Sequence, residues 1–258
     1  MKRVAGLILC LCSITTIQAQ NWSSFRGNNA SGVAEGRKTA ATWNVDKSQN
    51  IVWKTSIPGL SHASPIIWGN RVYVITAISS DSSTGFVAKD RGIGLAEDSV
   101  KHTWKIFSLD KKSGEVIWSQ TAYEGIPRAK RHVKATQANS TPVTDGRYVV
   151  ALFGSEGLAC YDLNGKLVWE KDLGVQMKMR LQFGEGTAPV LDRDRIILTF
   201  DHEAGSFIVA LDKRTGKELW RTERAEPSSW STPLIIDHAG RRRHPADPDR
   251  GQHRPDFR

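Results

Sequence analysis

Cysteine is scarce in this sequence. Its 258 residues include three cysteines, Cys10, Cys12 and Cys160, and the first two lie in an N-terminal segment with the pattern of a cleavable signal. Removal of that segment leaves Cys160 as the single thiol. The mature chain therefore has no intramolecular disulfide and no cysteine-based metal site.

The sequence also lacks an apolar run long enough to anchor it in a bilayer. The run from Val4 to Ile17 follows two basic residues and is shorter than the roughly 20 residues that a membrane-spanning helix needs. This pattern is typical of a secretory signal peptide, here residues 1–19. We therefore expect a periplasmic or secreted protein with no transmembrane segment after signal removal.

The sequence also lacks a strong excess of positive charge. The formal charge is +9, but part of it belongs to the signal, and residues 241–258 contribute six arginines against three aspartates. The remainder carries only a mild positive excess. That excess does not indicate nucleic-acid binding, which calls for a basic patch or stripe.

No segment shows sustained helical periodicity, whereas a repeat is present. Three segments align on an aspartate, a glycine and a tryptophan, and 51 residues separate Trp118 from Trp169 and Trp169 from Trp220. The repeat residues are Asp110, Gly114 and Trp118, then Asp162, Gly165 and Trp169, then Asp212, Gly216 and Trp220.

Each aligned segment has the chemistry of a β-hairpin. An apolar strand ends at the aspartate, whose side chain can cap the loop amides. The glycine supplies the positive φ that a tight loop needs, and Asn164-Gly165 indicates a type I′ turn. The second strand runs into the tryptophan, which can pack between sheets.

A second hairpin precedes each of these segments and opens with a proline at positions 65, 142 and 189. Two hairpins give four strands in a unit of about 50 residues, which is typical of a propeller blade. The units are residues 64–118, 141–169 and 188–220, and a fourth begins at Ser231. Residues 77–103 are expected to form a polar surface loop. The strand-like segment 51–54 is expected to be the outer strand of the last blade, closing the ring.

The motifs carry a family resemblance. Residues 210–220, reading ALDKRTGKELW, resemble the tryptophan-docking motif of quinoprotein alcohol dehydrogenases, and residues 22–32 are similar to the start of many secreted PQQ-like repeat proteins. The chain is thus identified as a member of the PQQ-like propeller family. The resemblance implies an all-β propeller of four-stranded blades, incomplete in this chain, with residues 20–50 as an extended segment and 51–240 as about three blades.

Two branches of that family imply different functions. The dehydrogenases bind pyrroloquinoline quinone and calcium, and typical alcohol dehydrogenases carry adjacent cysteines that this chain lacks. The BamB-like branch of envelope proteins binds protein or small-molecule partners without chemistry. The chain is closer to the second branch, so we expect a non-catalytic envelope scaffold with no cofactor and no catalytic residue. The alternative is a quinone-dependent alcohol or sugar dehydrogenase.

Loops that precede the first strands of propeller blades often face the central channel. His62, Gln137, Asn139 and Glu185 lie in such loops and are the predicted binding face. Asp201, His202 and Glu203 end a strand, where alternation would point His202 away from its neighbours, so no metal site is predicted there. The basic run 130–134 is expected to be a solvated loop.

The repeat breaks near the end of the chain. After Asp237 to Gly240 an apolar strand should follow, but residues 241–258 are rich in arginine and proline. We interpret them as a disordered or frame-shifted tail. A propeller that stopped here would leave strand edges unpaired, which favours a longer parent protein.

Overall fold

The computed structural model of the protein describes residues 21–36, 39–82, 94–238 and 241–243. The signal peptide and residues 244–258 lie outside these ranges, so the expectations for them stay untested. Within the ranges the chain contains 14 strands and three short 3-10 turns, Asn28–Ala30, Gly154–Glu156 and Arg180–Gln182, and no α-helix. None of these turns has the length or the apolar character that a bilayer crossing requires.

The strands form three sheets of four strands each and one hairpin, all antiparallel and ordered along the chain. The first sheet contains β1 Ile66–Trp68, β2 Arg71–Ser79, β3 His102–Asp110 and β4 Val116–Gly125. The second contains β5 Val143–Thr144, β6 Tyr148–Leu152, β7 Leu158–Asp162 and β8 Leu167–Lys171. The third contains β9 Val190–Asp192, β10 Arg195–Phe200, β11 Ser206–Asp212 and β12 Glu218–Arg224. The hairpin pairs β13 Ile236–His238 with β14 Arg241–Arg243.

This architecture confirms the all-β propeller fold with four-stranded blades. The first strands of neighbouring blades contact each other, β1 with β5 and β5 with β9, so they line the axis and are called the inner strands. The fourth strands, β4, β8 and β12, lie at the periphery and expose aliphatic side chains such as Ile117, Val168 and Leu219.

The core lies in the seams between blades. One apolar cluster joins the first blade to the second, for example Tyr73 and Ile106 with Tyr161. Another joins the second blade to the third through Leu152, Ile196 and other side chains. Because the middle strands are covered on both faces, they read as continuous apolar runs such as YVVAL in β6.

The three hairpin loops are held by their aspartates. Oδ1 of Asp110 accepts from the N–H groups of Lys112 and Ser113 at 2.8 and 2.9 Å. The expectation of a type I′ turn at Asn164-Gly165 is wrong, because Gly165 has φ 84° but Asn164 is not among the residues with positive φ. The aspartate cap instead holds a three-residue loop, closed by the bond from Asp162 N to Lys166 O at 2.9 Å.

Two other expectations of local structure need correction. Residues 51–54 form no strand, because no described strand lies beside them to complete a ladder. Residues 241–243, where no strand was expected, form β14 and pair with β13. Hairpin pairing requires only backbone N–H and C=O groups, so the arginine-rich composition does not prevent it.

Candidate functional site

The loops before the inner strands form one face of the propeller and bind one another from blade to blade. The N–H groups of His62 and Ala63 in the first blade donate to Ala138 O in the second at 3.1 and 3.3 Å. The Asn139 side-chain amide then donates to Glu185 O in the third blade at 2.7 Å. The face is therefore a hydrogen-bonded belt across the blades.

The structure places three of the four residues predicted for this face, Gln137, Asn139 and Glu185, around one small space. Two of these, Asn139 and Glu185, are hydrogen-bonded to each other. Both Glu185 oxygens are held by Ser155, whose N–H donates to Oε2 at 2.8 Å and whose hydroxyl donates to Oε1. Burial outweighs these bonds and raises the pKa of the Glu185 carboxyl to about 7. No sequence signal pointed to Ser155, which lies in the turn between β6 and β7.

The other two predicted residues do not join this contact. His62 is exposed and takes part in the belt through its backbone. The Gln137 side chain donates instead to Asp98 Oδ2 at 2.9 Å and to Ala129 O at 3.1 Å. The predicted polar ring is thus only partly assembled.

A buried ion pair beside Gln137 was missed by sequence reasoning. Arg131 Nε and Nη2 donate to the Asp98 carboxylate at 2.6 and 3.0 Å, and the two side chains are only 2% and 5% exposed. The Arg131 guanidinium also donates to Ala135 O at 2.8 Å. A cavity of about 310 Å³ opens next to this pair, with His102 and Asp81 in its wall.

This ion pair corrects two expectations. Residues 77–79 belong to β2 and residues 102–103 to β3, Asp98 is buried, and Leu95 forms a β-bridge with His132, so the described part of 77–103 is not simply a surface loop. Residues 83–93 lie outside the described ranges. The basic run 130–134 is not a solvated loop throughout, because Arg131 is among the largest fully buried side chains. A single charge inside a basic run can be buried when a carboxylate from a distant segment neutralises it, and the spacing of the run does not reveal that partner.

Asp201, His202 and Glu203 do not converge on a common point. The Asp201 carboxylate accepts from Arg224 Nε at 2.8 Å, and Glu203 accepts from the Ser228 hydroxyl at 2.8 Å. Burial lowers the pKa of His202. Within the described residues, no group of three or more His, Cys, Asp or Glu side chains is placed to hold a metal ion.

Successive blades are joined by docked tryptophans. Trp118 Nε1 in the first blade donates to Leu163 O in the second at 3.0 Å, and Trp169 Nε1 donates to Lys213 O in the third at 2.9 Å. Each ring lies on the glycine of the next blade's hairpin, where a Cβ would stand 2.7 Å from ring atoms at Gly165 and at Gly216. These two seams require glycine because both the space and the positive φ exclude a side chain.

Trp53 makes the same contact with the first blade. Its Nε1 donates to Lys111 O at 2.9 Å, and a Cβ at Gly114 would stand 2.5 Å from its ring. Trp53 thus fills the position that the tryptophan of a preceding blade would take, although its segment is not a strand.

An N-terminal arm, residues 21–32, lies against the axial side of the inner strands. Trp22 and Ile67 of β1 exchange two backbone hydrogen bonds of 2.8 Å, and Ser23 O accepts from Thr144 N at 2.9 Å. The arm then turns back on itself through Arg26, Asn29 and Ala30, which have φ of 60°, 54° and 51°. This is the segment in which the sequence resembled the start of secreted repeat proteins.

The described residues do not fit a calcium ion with a quinone on the belt face. Calcium requires 6 to 8 oxygen ligands, but Glu185 is occupied by Ser155, and Asn139 Oδ1 accepts from the Thr136 N–H and hydroxyl at 3.2 and 2.5 Å. The cavity against Glu185 has a volume of about 10 Å³, and its wall contains no cationic side chain to neutralise the carboxylates of pyrroloquinoline quinone.

Four-stranded antiparallel blades, ordered along the chain and joined by docked tryptophans, define the protein as a β-propeller of the tryptophan-docking class. A family model described as outer membrane protein assembly factor BamB matches residues 105–239, just over half of the chain. The chain belongs to this family.

Individual relatives are distant. The outer membrane protein assembly factor BamB of Kangiella koreensis is 26% identical over 121 residues, which cover 46% of this chain. The chain spans only 27% of the length of that relative.

Solved structures of two kinds are similar to the chain. BamB from Moraxella catarrhalis is 18% identical, with a TM-score of 0.37, over 71% of this chain and 56% of that one. A quinohemoprotein alcohol dehydrogenase from Comamonas testosteroni is 15% identical, with a TM-score of 0.49, over 80% of this chain and 27% of that one.

Proposed function

We propose that the protein is a non-catalytic binding or scaffold protein of the bacterial cell envelope, acting in the assembly of outer membrane proteins from a periplasmic or secreted location. The family match over residues 105–239 carries this proposal. The named role of the Kangiella koreensis relative supports it. The partner expected for such a role is a protein, with no cofactor taking part.

The chemistry of the belt face supports binding over catalysis. Its polar side chains are engaged with one another, as the contacts of Asn139 and Glu185 show. Such a network rigidifies the face.

The role is tested by deleting the gene in its source bacterium and measuring outer membrane protein abundance. We expect a fall in outer membrane β-barrel proteins that the wild-type chain restores. Complementation by Trp118→Ala should fail, because the ring closes the seam between the first two blades. Lys112→Ala, an exposed loop change, is the matched control and should complement fully.

The alternative function, a quinone-dependent dehydrogenase, is tested with the purified protein. Equilibrium dialysis with pyrroloquinoline quinone and calcium should show no stoichiometric uptake, and alcohols should not reduce an added dye. Uptake of one quinone per chain together with alcohol-dependent dye reduction would reverse the assignment.

A further inference from the structure

The second residue after the proline of each inner strand has a distinctive backbone orientation. In the first blade this residue is Ile67, which pairs with Val72, next to the turn-closing pair Trp68 and Arg71. Antiparallel partners alternate between hydrogen-bonded and non-hydrogen-bonded pairs. The N–H and C=O of Ile67 therefore point away from β2 and towards the axis, where Trp22 binds both of them.

In the second blade, the arm binds the backbone of the equivalent residue. Thr144 is the second residue after its proline, and its N–H donates to Ser23 O at 2.9 Å. Consecutive arm residues thus pair with the axial edges of two consecutive blades. The arm is a short strand addition made by the chain to itself.

In the third blade the equivalent residue is Leu191, in the same register. Asp192 pairs with Arg195 at the turn, and Leu191 pairs with Ile196. Its N–H and C=O consequently point to the axis as well. The arm backbone does not continue there: Leu191 borders a partly open cavity of about 450 Å³, which the arm residues, Pro189 and residues 232–235 also line.

The cavity wall is uncharged in a chain of formal charge +9. Hydrogen-bonding groups come from the arm and from Thr232, and an apolar wall comes from Leu191 and Leu234. The polar side chains of the arm in this wall are Ser23, Ser24, Asn28 and Asn29. Such a surface suits a ligand that is neutral, carries backbone amides and has small or apolar side chains.

We propose that this cavity binds an extended, uncharged peptide segment of a partner protein, which adds to the axial edge of β9 as Trp22 adds to β1. The inference rests on the proposed binding role and names its ligand class and its site. Outer membrane protein abundance tests the role, whereas hydrogen exchange at Leu191 tests the site, so the two can fail separately.

The probe is a blocked peptide with the sequence of residues 21–25, and the observable is the Leu191 amide in protein labelled with ¹⁵N-leucine. Saturating peptide should slow exchange of this amide about tenfold or more, because it gains a backbone hydrogen bond. The same peptide N-methylated at its tryptophan lacks the donor for Leu191 O and should give little protection. Equal protection by both peptides, or none by either, would refute the site.

A protein variant tests the other half of the pairing. Leu191→Pro removes the N–H that points to the cavity and leaves the bonds between β9 and β10 intact, and Leu191→Val is the matched control. A dye-labelled peptide should bind the proline variant about fivefold to tenfold more weakly than the valine variant, as expected for one lost hydrogen bond. Unchanged affinity contradicts the proposal. Protection of the Leu191 amide by a neutral sugar such as maltose, without protection by the peptide, would also contradict the proposal. If the proline variant does not fold, the comparison of the unmodified and N-methylated peptides by hydrogen exchange tests the proposal.

Discussion

The tryptophan seams carry a quantitative prediction, best made for Trp169→Ala. Trp169 is 9% exposed, packs in the cluster between the second and third blades and donates to Lys213 O at 2.9 Å. Truncation of a buried tryptophan to alanine costs about 3 to 5 kcal/mol, and the lost hydrogen bond about 1 kcal/mol. We expect the free energy of unfolding to fall by about 4 kcal/mol or more.

Urea denaturation followed by far-ultraviolet circular dichroism measures this loss. The matched control is Trp43→Ala, because Trp43 is 66% exposed; its effect should stay within about 0.5 kcal/mol. Trp169→Phe keeps most of the ring and removes the N–H donor, so it should cost an intermediate amount. A loss below about 1 kcal/mol for Trp169→Ala would show that the docked rings do not hold the blades together.

Three further predictions concern buried groups. Arg131→Met leaves the Asp98 carboxylate buried without its cation and should lower the free energy of unfolding by about 3 to 5 kcal/mol. Lys101→Ala, which breaks an exposed ion pair, is the control and should cost under about 1 kcal/mol in the same urea titration. The pKa of Glu185 is raised from 4.5 to about 7, so between these pH values the native state binds more protons than the unfolded state. The free energy of unfolding should therefore fall by about 3 kcal/mol as the pH rises from 4.5 to 7. Denaturation curves at several pH values measure this, and a Glu185→Gln variant with the same pH dependence of stability as the wild type would disprove it. Burial raises the pKa of the Cys160 thiol to about 12, so a maleimide should label it in urea but not in the native protein, and fast native labelling scored by mass spectrometry would contradict the buried position.

The sequence allowed the blades to be predicted because their turns depend on local chemistry. An aspartate, a glycine and a tryptophan recur at fixed spacing, and each acts within its own hairpin or on the next one, as Asp110 and Trp118 do. Such contacts repeat whenever the motif repeats. The fold class and the positions of the strands follow from that regularity.

The parts that sequence reasoning missed depend on contacts between segments that share no motif. Asp98 reaches Arg131 from an insertion that occurs in one blade only, and Ser155 reaches Glu185 across a blade seam. Neither partner lies at a repeated spacing. The loop position of Gln137 also could not show that its side chain donates to Asp98.

We propose that the protein serves outer membrane protein assembly by binding and not by redox chemistry. The most direct measurement is the folded amount of outer membrane β-barrel proteins in a strain that lacks the gene, determined by the heat-dependent gel mobility of those proteins. We expect a reduced folded amount that the wild-type chain restores without added quinone. Unchanged levels in the deletion strain, or restoration only when quinone is supplied, would contradict it.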